Sequence, residues 1–188
     1  SIIAVRSQTG ETQCYPLAWN THHHGILSHS IVPAPQVSPQ IQAQAEKYIT
    51  QILHELNHVG VLTLELFQTP NGLYANETAP RVHNSGHWSI EGAVCSQFEN
   101  HMRAVAGLPL GVTDELRLSA MINIIGEYPD TAAILATPET HLHLYGKSER
   151  VGRKLGHITV TASTYQSLQT RIAQIAACLP NKMALVVS

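Results

Sequence analysis

A strand, a turn and a second strand can be read from the segment between Val61 and Thr78, and this hairpin constrains the fold more than any other stretch. Residues 61–67 alternate leucines with other side chains, which is typical of a strand with one buried face. Residues 70–72, Pro-Asn-Gly, suit a tight turn because Pro fixes φ and the next two residues tolerate positive φ. The sequence therefore predicts an antiparallel hairpin centred near Asn71.

Each strand of this hairpin carries an acid. Symmetric pairing about Asn71 places Glu65 directly opposite Glu77 on one face of the sheet. Directly opposed side chains have Cβ atoms about 4.5 to 5.5 Å apart, and like charges at that spacing are destabilising. A divalent cation relieves the repulsion, and Mg²⁺ is typically held by one or two carboxylates together with water and substrate phosphate. The alternative is a solvated hairpin face with two weakly repelling acids.

Composition excludes several classes of protein. The 188 residues are 44% hydrophobic and 13% charged, which is ordinary for a folded chain of one or two domains. No apolar run approaches the roughly 18 residues that cross a bilayer, so we expect no membrane partner. A net charge of −2 without a long basic run argues against nucleic acid. Three widely spaced cysteines suit a reduced cytoplasm. Because the sequence opens on a strand-like segment, we expect a fragment of a longer protein.

The segments before the hairpin predict strands at residues 1–6, 12–17 and 26–32, with a polar loop at residues 19–25. That loop contains three consecutive histidines beginning at His22. We expect no transition-metal site there, because adjacent side chains point in different directions. Ser38 and Pro39 begin a helix, whose apolar stripe should pack on the sheet of the hairpin.

After the hairpin, a polar loop at residues 79–86 leads into a predicted helix at residues 88–105. Its expected buried face comprises Ile90, Val94, Phe98, Met102 and Val105. The positive N-terminus of this helix, beside Arg81 and His83, predicts an anion site. In the alternative interpretation, the arginine pairs with a nearby acid and the histidine is structural.

Beyond residue 115 the sequence changes to short β-like segments at residues 120–125, 141–145 and 157–161, a helix at residues 164–179 and an edge strand at residues 183–187. A basic loop at residues 150–157 contains Arg153 and Lys154. Two interpretations of this loop stay open, a solvated hairpin tip and a pair of cations that reach a substrate phosphate or carboxylate.

Five segments give the chain a family resemblance. They occur in the family's order and are YPLAWNTHHHGIL, LELFQTPNGLYANETAPRVHNSGHW, SQFENHMRAVAGLPLG, INIIG and GRKLGHI. The chain resembles the C-terminal portion of the 5-(carboxyamino)imidazole ribonucleotide synthases, which are ATP-grasp enzymes of purine biosynthesis. The resemblance implies an α+β fold. It predicts the C-terminal half of an ATP-grasp domain, an antiparallel sheet with packed helices, at residues 1–115, followed by a small β-rich C-terminal domain at residues 116–188.

The resemblance also implies a reaction. ATP would phosphorylate bicarbonate to carboxyphosphate, which would deliver CO₂ to the amine of aminoimidazole ribonucleotide and leave ADP and phosphate. Two Mg²⁺ ions are the expected metal cofactors, with Glu65 and Glu77 as their ligands. The remaining roles are carried over from the family: nucleotide binding by His22, Asn76 and Glu77; catalysis by Arg81, His83 and Lys154; and substrate binding by Arg81, His83, Asn84, Ser85, Arg153 and Lys154.

Several expectations about the whole protein follow from the resemblance. The family's preceding nucleotide-fold-like domain and the first half of its ATP-grasp domain would lie before Ser1, so we expect the isolated chain to be inactive, a noncatalytic folded fragment. We expect the full-length enzyme to be a cytoplasmic homodimer. The rival enzyme is the formate-dependent ATP-grasp glycinamide ribonucleotide formyltransferase. It shares the two glutamates, but carries an Asp and a Thr after the loop histidine, where this chain has Asn84 and Ser85.

Overall fold

The computed structural model describes residues 1–180, which form nine strands and five α-helices. The strands are β1 (Ile2–Arg6), β2 (Thr12–Cys14), β3 (Trp19–His23), β4 (Ile26–Val32), β5 (Gly60–Thr69), β6 (Gly72–Ala79), β7 (Leu118–Ile125), β8 (Thr140–Leu144) and β9 (Lys154–Ala162). The helices are α1 (Pro39–Glu55), α2 (Ser89–Gly92), α3 (Gln97–Val105), α4 (Thr131–Leu135) and α5 (Tyr165–Cys178). The predicted α+β class is confirmed.

The chain forms two compact units. Unit 1 comprises Ser1–Trp19 and Val32–Leu116, and unit 2 comprises Asn20–Ile31 and the described residues from Arg117 onward. The division into domains at residues 1–115 and 116–188 stays a prediction. The compact units differ from it in one respect, because residues 20–31 group with the later part of the chain.

Unit 1 contains a four-stranded antiparallel sheet in the order β2-β1-β5-β6. Helix α1 packs on one face of it, over the buried side chains of Ile2, Leu62 and Leu64. The predicted start of α1 is confirmed, since Ser38 caps the helix by accepting a hydrogen bond from the Ile41 N–H at 3.3 Å. The prediction of one buried face on β5 is wrong for its first half. Thr63, on the opposite face, is also fully buried, because α3 packs there.

The segment predicted as one helix at residues 88–105 is interrupted. A short 3-10 turn at Asn84–Gly86 precedes α2, and α3 begins only after Ser96. Between them Ala93 is extended and forms a bridge with Glu115, while the Ser96 side chain caps α3 by accepting from the Glu99 N–H at 3.1 Å. These two contacts end one helix and begin another.

The predicted buried face of that helix is therefore also wrong. Four of its five members are exposed: Ile90, Val94, Met102 and Val105. Helix α3 buries Gln97, Asn100 and Ala104 instead. The break changes the rotation of the second half of the segment, and polar side chains turn inward, where they bind neighbouring backbone groups.

Unit 2 contains a five-stranded sheet in the order β3-β4-β7-β9-β8, in which β9 pairs antiparallel with both β7 and β8. Helix α5 begins at the cap Thr164, as predicted, and packs its buried Leu168, Ile172 and Ile175 on this sheet.

Two other predictions for this unit are corrected by the structure. Residues 19–25 are not a loop, because most of them form β3, which turns into β4 through two residues of positive φ, His24 and Gly25. Helix α4 was missed. The edge strand predicted at residues 183–187 lies outside the described residues. Over residues 1–180, every helix is too short or too polar to cross a membrane.

Candidate functional site

A β-bulge in the hairpin brings the two acids together. Leu64 pairs with Thr78 and Leu66 pairs with Ala75, so that Glu65 alone faces both Asn76 and Glu77. One extra residue on β6 breaks the alternation at this point and re-aims its side chains, as bulges at functional sites commonly do. The predicted symmetric register therefore holds up to Glu65 and shifts by one residue beyond it.

The bulge forms one corner of an acidic cluster, which we define as Glu65, Glu77 and His83. One ligand atom from each of the three lies within 4.8 Å of the others. The His83 Nε2 lies 3.6 Å from Glu65 Oε1, and the Asn76 side-chain amide donates to Glu65 Oε2 at 3.4 Å. Two carboxylates at this spacing repel, and hard oxygen donors are the ligands that Mg²⁺ prefers. The donor set fits a divalent cation.

Burial is graded across the acidic cluster. Glu77 is exposed, Glu65 is partly buried and His83 is only 7% exposed. The cluster therefore has one open side, at Glu77, and a closed side behind the imidazole. A ligand would approach from the side of Glu77.

A buried hydroxyl supports the His83 ring from behind. The His83 Nδ1 lies 2.8 Å from Ser85 Oγ and also accepts from the Ser85 backbone N–H at 3.3 Å. Ser85 Oγ in turn lies 2.8 Å from Ser1 Oγ. Ser85 is fully buried and Asn84 is partly buried at the start of the 3-10 turn. Their predicted contacts with substrate stay predictions.

Arg81 is exposed and donates to its neighbour's carbonyl, the Val82 O, at 3.0 Å. No α-helix begins beside Arg81 and His83 in the described structure, where a three-residue 3-10 turn follows His83 instead. The nearest α-helix, α2, has four residues, and α3 begins at Gln97. An anion site at this loop would therefore rest on side chains rather than on a helix dipole.

Sequence reasoning missed Gln97. It is fully buried and hydrogen-bonds the backbone of His83. The available signal was a glutamine directly after a serine that can cap a helix.

In unit 2 the predicted residue Lys154 belongs to a second group, which we call the basic cluster: His143, Tyr145, Lys147, Lys154 and His157. Both lysine Nζ atoms lie over the Tyr145 ring, at 5.5 Å for Lys147 and 5.4 Å for Lys154. The Tyr145 Oη lies 2.7 Å from His157 Nδ1, and His157 stacks on His143 with ring centroids 4.3 Å apart. Burial first, and the charge of Lys147 second, lower the pKa of Lys154 to about 7.

Two further predicted residues lie in unit 2. Arg153 donates to Ser148 Oγ at 2.9 Å and so braces its own loop. His22 is exposed on β3, and His23 and His24 beside it make a ring contact. In the part of the chain that the structure describes, the acidic cluster is the group with metal-ligand spacing, and the three histidines are not part of it.

Comparison with known proteins finds two matching families. The ATP-grasp domain family matches residues 1–98, and the phosphoribosylaminoimidazole carboxylase C-terminal domain matches residues 119–171. The N5-carboxyaminoimidazole ribonucleotide synthase of Pseudomonas aeruginosa is 52% identical over 179 residues, which cover 95% of this chain and 49% of that protein. The Escherichia coli synthase is 45% identical, covering 98% of this chain and 51% of that protein.

Solved structures show the same relationship. The N5-carboxyaminoimidazole ribonucleotide synthetase of Thermus thermophilus superposes with a TM-score of 0.94 at 50% identity, covering 96% of this chain and 50% of that one. The Aspergillus clavatus synthase, solved with ADP and 5-aminoimidazole ribonucleotide, has a TM-score of 0.88 at 34% identity over 94% of this chain and 50% of its own. The chain spans about half the length of the relatives it matches.

Proposed function

Because this chain belongs to the ATP-grasp family and matches N5-carboxyaminoimidazole ribonucleotide synthases over nearly its whole length, we propose that it acts in the ATP-dependent carboxylation of 5-aminoimidazole ribonucleotide. Bicarbonate is the second substrate, and carboxyphosphate is the intermediate that delivers CO₂. The observation that carries the proposal is the acidic cluster, in which carboxylate oxygens of Glu65 and Glu77 lie within 4.8 Å of each other and of a ring nitrogen of His83.

Glu65 and Glu77 are the proposed Mg²⁺ ligands. Bound there, Mg²⁺ would neutralise charge on the phosphate oxygens of ATP, which is what phosphoryl transfer chiefly requires of a protein. The two carboxylates would hold the Mg²⁺ ion and fix its position. Asn76 braces Glu65 from the bulge and is proposed, with His22, to contact the nucleotide.

His83 and Arg81 are proposed to bind the ribonucleotide or carboxyphosphate next to the carboxylates, with Asn84 and Ser85 supporting them. The Ser85 backbone N–H donates to His83 Nδ1, so in that tautomer the proton of the ring lies on Nε2, facing Glu65. A ring held in this way donates a hydrogen bond into the site. Lys154 and Arg153, from unit 2, are the proposed partners of a substrate phosphate or carboxylate.

Metal binding tests the core of the proposal. Mn²⁺ in place of Mg²⁺ should bind this chain, as followed by electron paramagnetic resonance, and Glu77→Gln should weaken binding at least about tenfold because it removes a ligand. Glu55→Gln, an exposed glutamate of α1, is the matched control and should bind normally. Unchanged affinity in Glu77→Gln would remove Glu77 from the site.

Turnover is a separate question for this chain, which spans about half the length of its relatives. We propose that alone it binds metal without releasing phosphate from ATP in the presence of bicarbonate, Mg²⁺ and 5-aminoimidazole ribonucleotide. Sustained phosphate release would contradict this. The formate-dependent alternative is not supported, because the relatives compared above are carboxylating synthases.

Assembly and location complete the proposal. We propose that the full-length enzyme is a homodimer in the cytoplasm, which light scattering and fractionation test. Three cysteines without disulfide partners, Cys14, Cys95 and Cys178, support a reducing compartment.

A further inference from the structure

A single side-chain amide, that of Gln97, clamps the backbone of His83. The Gln97 Oε1 accepts from the His83 N–H at 2.9 Å, and the Gln97 Nε2 donates to the His83 C=O at 2.7 Å. Gln97 is fully buried at the first position of α3. One amide therefore satisfies both backbone groups of a residue fourteen positions earlier.

The chemistry of this pairing is specific to an amide. The His83 backbone presents a donor and an acceptor, and a primary amide presents the complementary acceptor and donor. A carboxylate in the same place would set an acceptor against the His83 C=O. An apolar side chain would remove the partner of the His83 N–H, while the His83 C=O would keep the hydrogen bond from the Gly86 N–H at 3.0 Å. Among side chains of this length, glutamine alone fulfils both requirements.

The surrounding packing leaves the clamp little freedom. A Cβ added at Gly86 would lie 2.5 Å from Gln97 Oε1 and 2.4 Å from Ile3 Cδ1, so the loop is pressed directly against the amide. The Ser89 Oγ accepts from the Gln97 backbone N–H at 3.0 Å and donates to the Gly86 C=O at 2.6 Å. The start of α3 and the loop after His83 thus form one hydrogen-bonded junction.

We infer that Gln97 is a positioning residue, which fixes the backbone of His83 so that the imidazole stays aimed at Glu65 in the acidic cluster. This inference rests on the proposed function for its consequence, metal binding, but not for the geometry itself. Fixing both backbone groups of His83 sets the direction of its Cα–Cβ bond. The ring then reaches Glu65 at 3.6 Å while Ser85 holds its other nitrogen.

The test uses the chain labelled with ¹⁵N at histidine and the variant Gln97→Met, which keeps the length of the side chain and removes the amide. At fixed pH and without metal, the ring nitrogens of His83 in the wild type should report a single tautomer, and in Gln97→Met they should report averaging between tautomers. Mn²⁺ affinity should fall about tenfold or more, as for the loss of other residues that orient a metal site.

Gln42→Met is the matched control. Gln42 also binds backbone in unit 1, accepting from the Leu17 N–H at 3.0 Å, and takes no part in the acidic cluster. It should lose a similar hydrogen bond without changing the His83 signals or the Mn²⁺ affinity. If Gln97→Met fails to fold, Gln97→Asn, whose amide is too short to reach both groups, takes its place.

The outcomes separate the inference from the proposed function. A folded Gln97 variant with unchanged His83 signals overturns the inference, and so does an equal change in Gln42→Met. If the wild type binds no Mn²⁺, the proposed metal role fails, and the metal-free ring signals still decide the role of Gln97.

Discussion

The acidic cluster of unit 1 and the basic cluster of unit 2 each place side chains of like charge close together, but by different means. In the acidic cluster, backbone register and a buried amide place two carboxylates beside an imidazole, and the repulsion remains until a cation binds. In the basic cluster, burial and the charge of Lys147 lower the pKa of Lys154, which reduces the repulsion between the two neighbouring lysines. We therefore expect the first cluster to respond to metal and the second to pH.

The two regions also differ in which atoms surround a closely packed glycine. Substitution of these glycines should give the largest effects, which are losses in free energy of unfolding. A Cβ added at Gly156, on β9, would lie 2.2 Å from the His143 carbonyl oxygen, an atom fixed by the sheet. At Gly86 the nearest atoms belong to the side chains of Ile3 and Gln97. Gly156→Ala should therefore cost about 3 kcal/mol or more in free energy of unfolding, and Gly86→Ala about 1 to 3 kcal/mol.

Urea unfolding followed by amide hydrogen exchange measures the two units separately. Gly86 and Gly156 do not have positive φ, so their losses report clashes, whereas Gly72→Ala, where φ is +120° and an added Cβ meets no atom within 4 Å, reports the cost of positive φ alone. A larger loss in free energy of unfolding for Gly86→Ala than for Gly156→Ala would show that the loop beside the acidic cluster is more rigid than the sheet at Gly156.

The pH response of the basic cluster is the next largest effect. With a pKa of about 7, Lys154 is mostly charged at pH 6 and mostly neutral at pH 8. Sulfate stays a dianion over this range and should bind about tenfold more weakly at pH 8 than at pH 6, if it requires the charged lysine. Titration of sulfate against the His143 and His157 signals in nuclear magnetic resonance measures this.

Lysine variants sharpen the same experiment. Lys154→Met should lose both sulfate binding and its pH dependence, whereas Lys47→Met, an exposed lysine of α1, should keep them. Lys147→Met should move the midpoint to higher pH, because the charge of Lys147 contributes to the lowered pKa of Lys154. A pH-independent affinity in the wild type would exclude Lys154 as the anion partner.

The two regions also differ in how much of them could be predicted from sequence. The opposition of Glu65 and Glu77 follows from the turn and the period of a strand, which are local properties. The bulge, which places Asn76 beside the two glutamates, does not follow from local properties, because it depends on how β6 pairs with β5. Family resemblance supplied the expected roles of Arg81, His83 and Lys154, which stay predictions, but not their surroundings.

The wrong helix at residues 88–105 and the missed burial of Gln97 share a physical cause. Val94 and Met102 fit a continuous apolar helix face, but Ser96 can cap a new helix, and the extended Ala93 gains a strand-like bridge to Glu115. Such long-range contacts decide between two locally acceptable structures. The burial of Gln97 was missed for the same reason, since its partner, the backbone of His83, is distant in sequence.

Loss of one hydroxyl in the basic cluster should have a moderate effect. Tyr145→Phe removes the 2.7 Å hydrogen bond between Oη and His157 Nδ1 and should cost about 1 kcal/mol in free energy of unfolding. The stack of His157 on His143 remains. Tyr74→Phe, on the exposed face of β6, is the control and should change stability by less than about 0.5 kcal/mol. Equal losses in the two variants would mean that the Tyr145 hydroxyl contributes nothing specific.

The smallest effect is expected at the bulge. The hydrogen bond from Asn76 to Glu65 is long, at 3.4 Å, and exposed, so Asn76→Ala should weaken Mn²⁺ binding only about twofold. Asn76→Asp should strengthen it, because a third carboxylate would then face the cation. Titration of Mn²⁺ into both variants measures the difference. A loss in Asn76→Ala as large as that in Glu77→Gln would make Asn76 a direct ligand, since bracing of Glu65 through one long hydrogen bond is too weak to account for it.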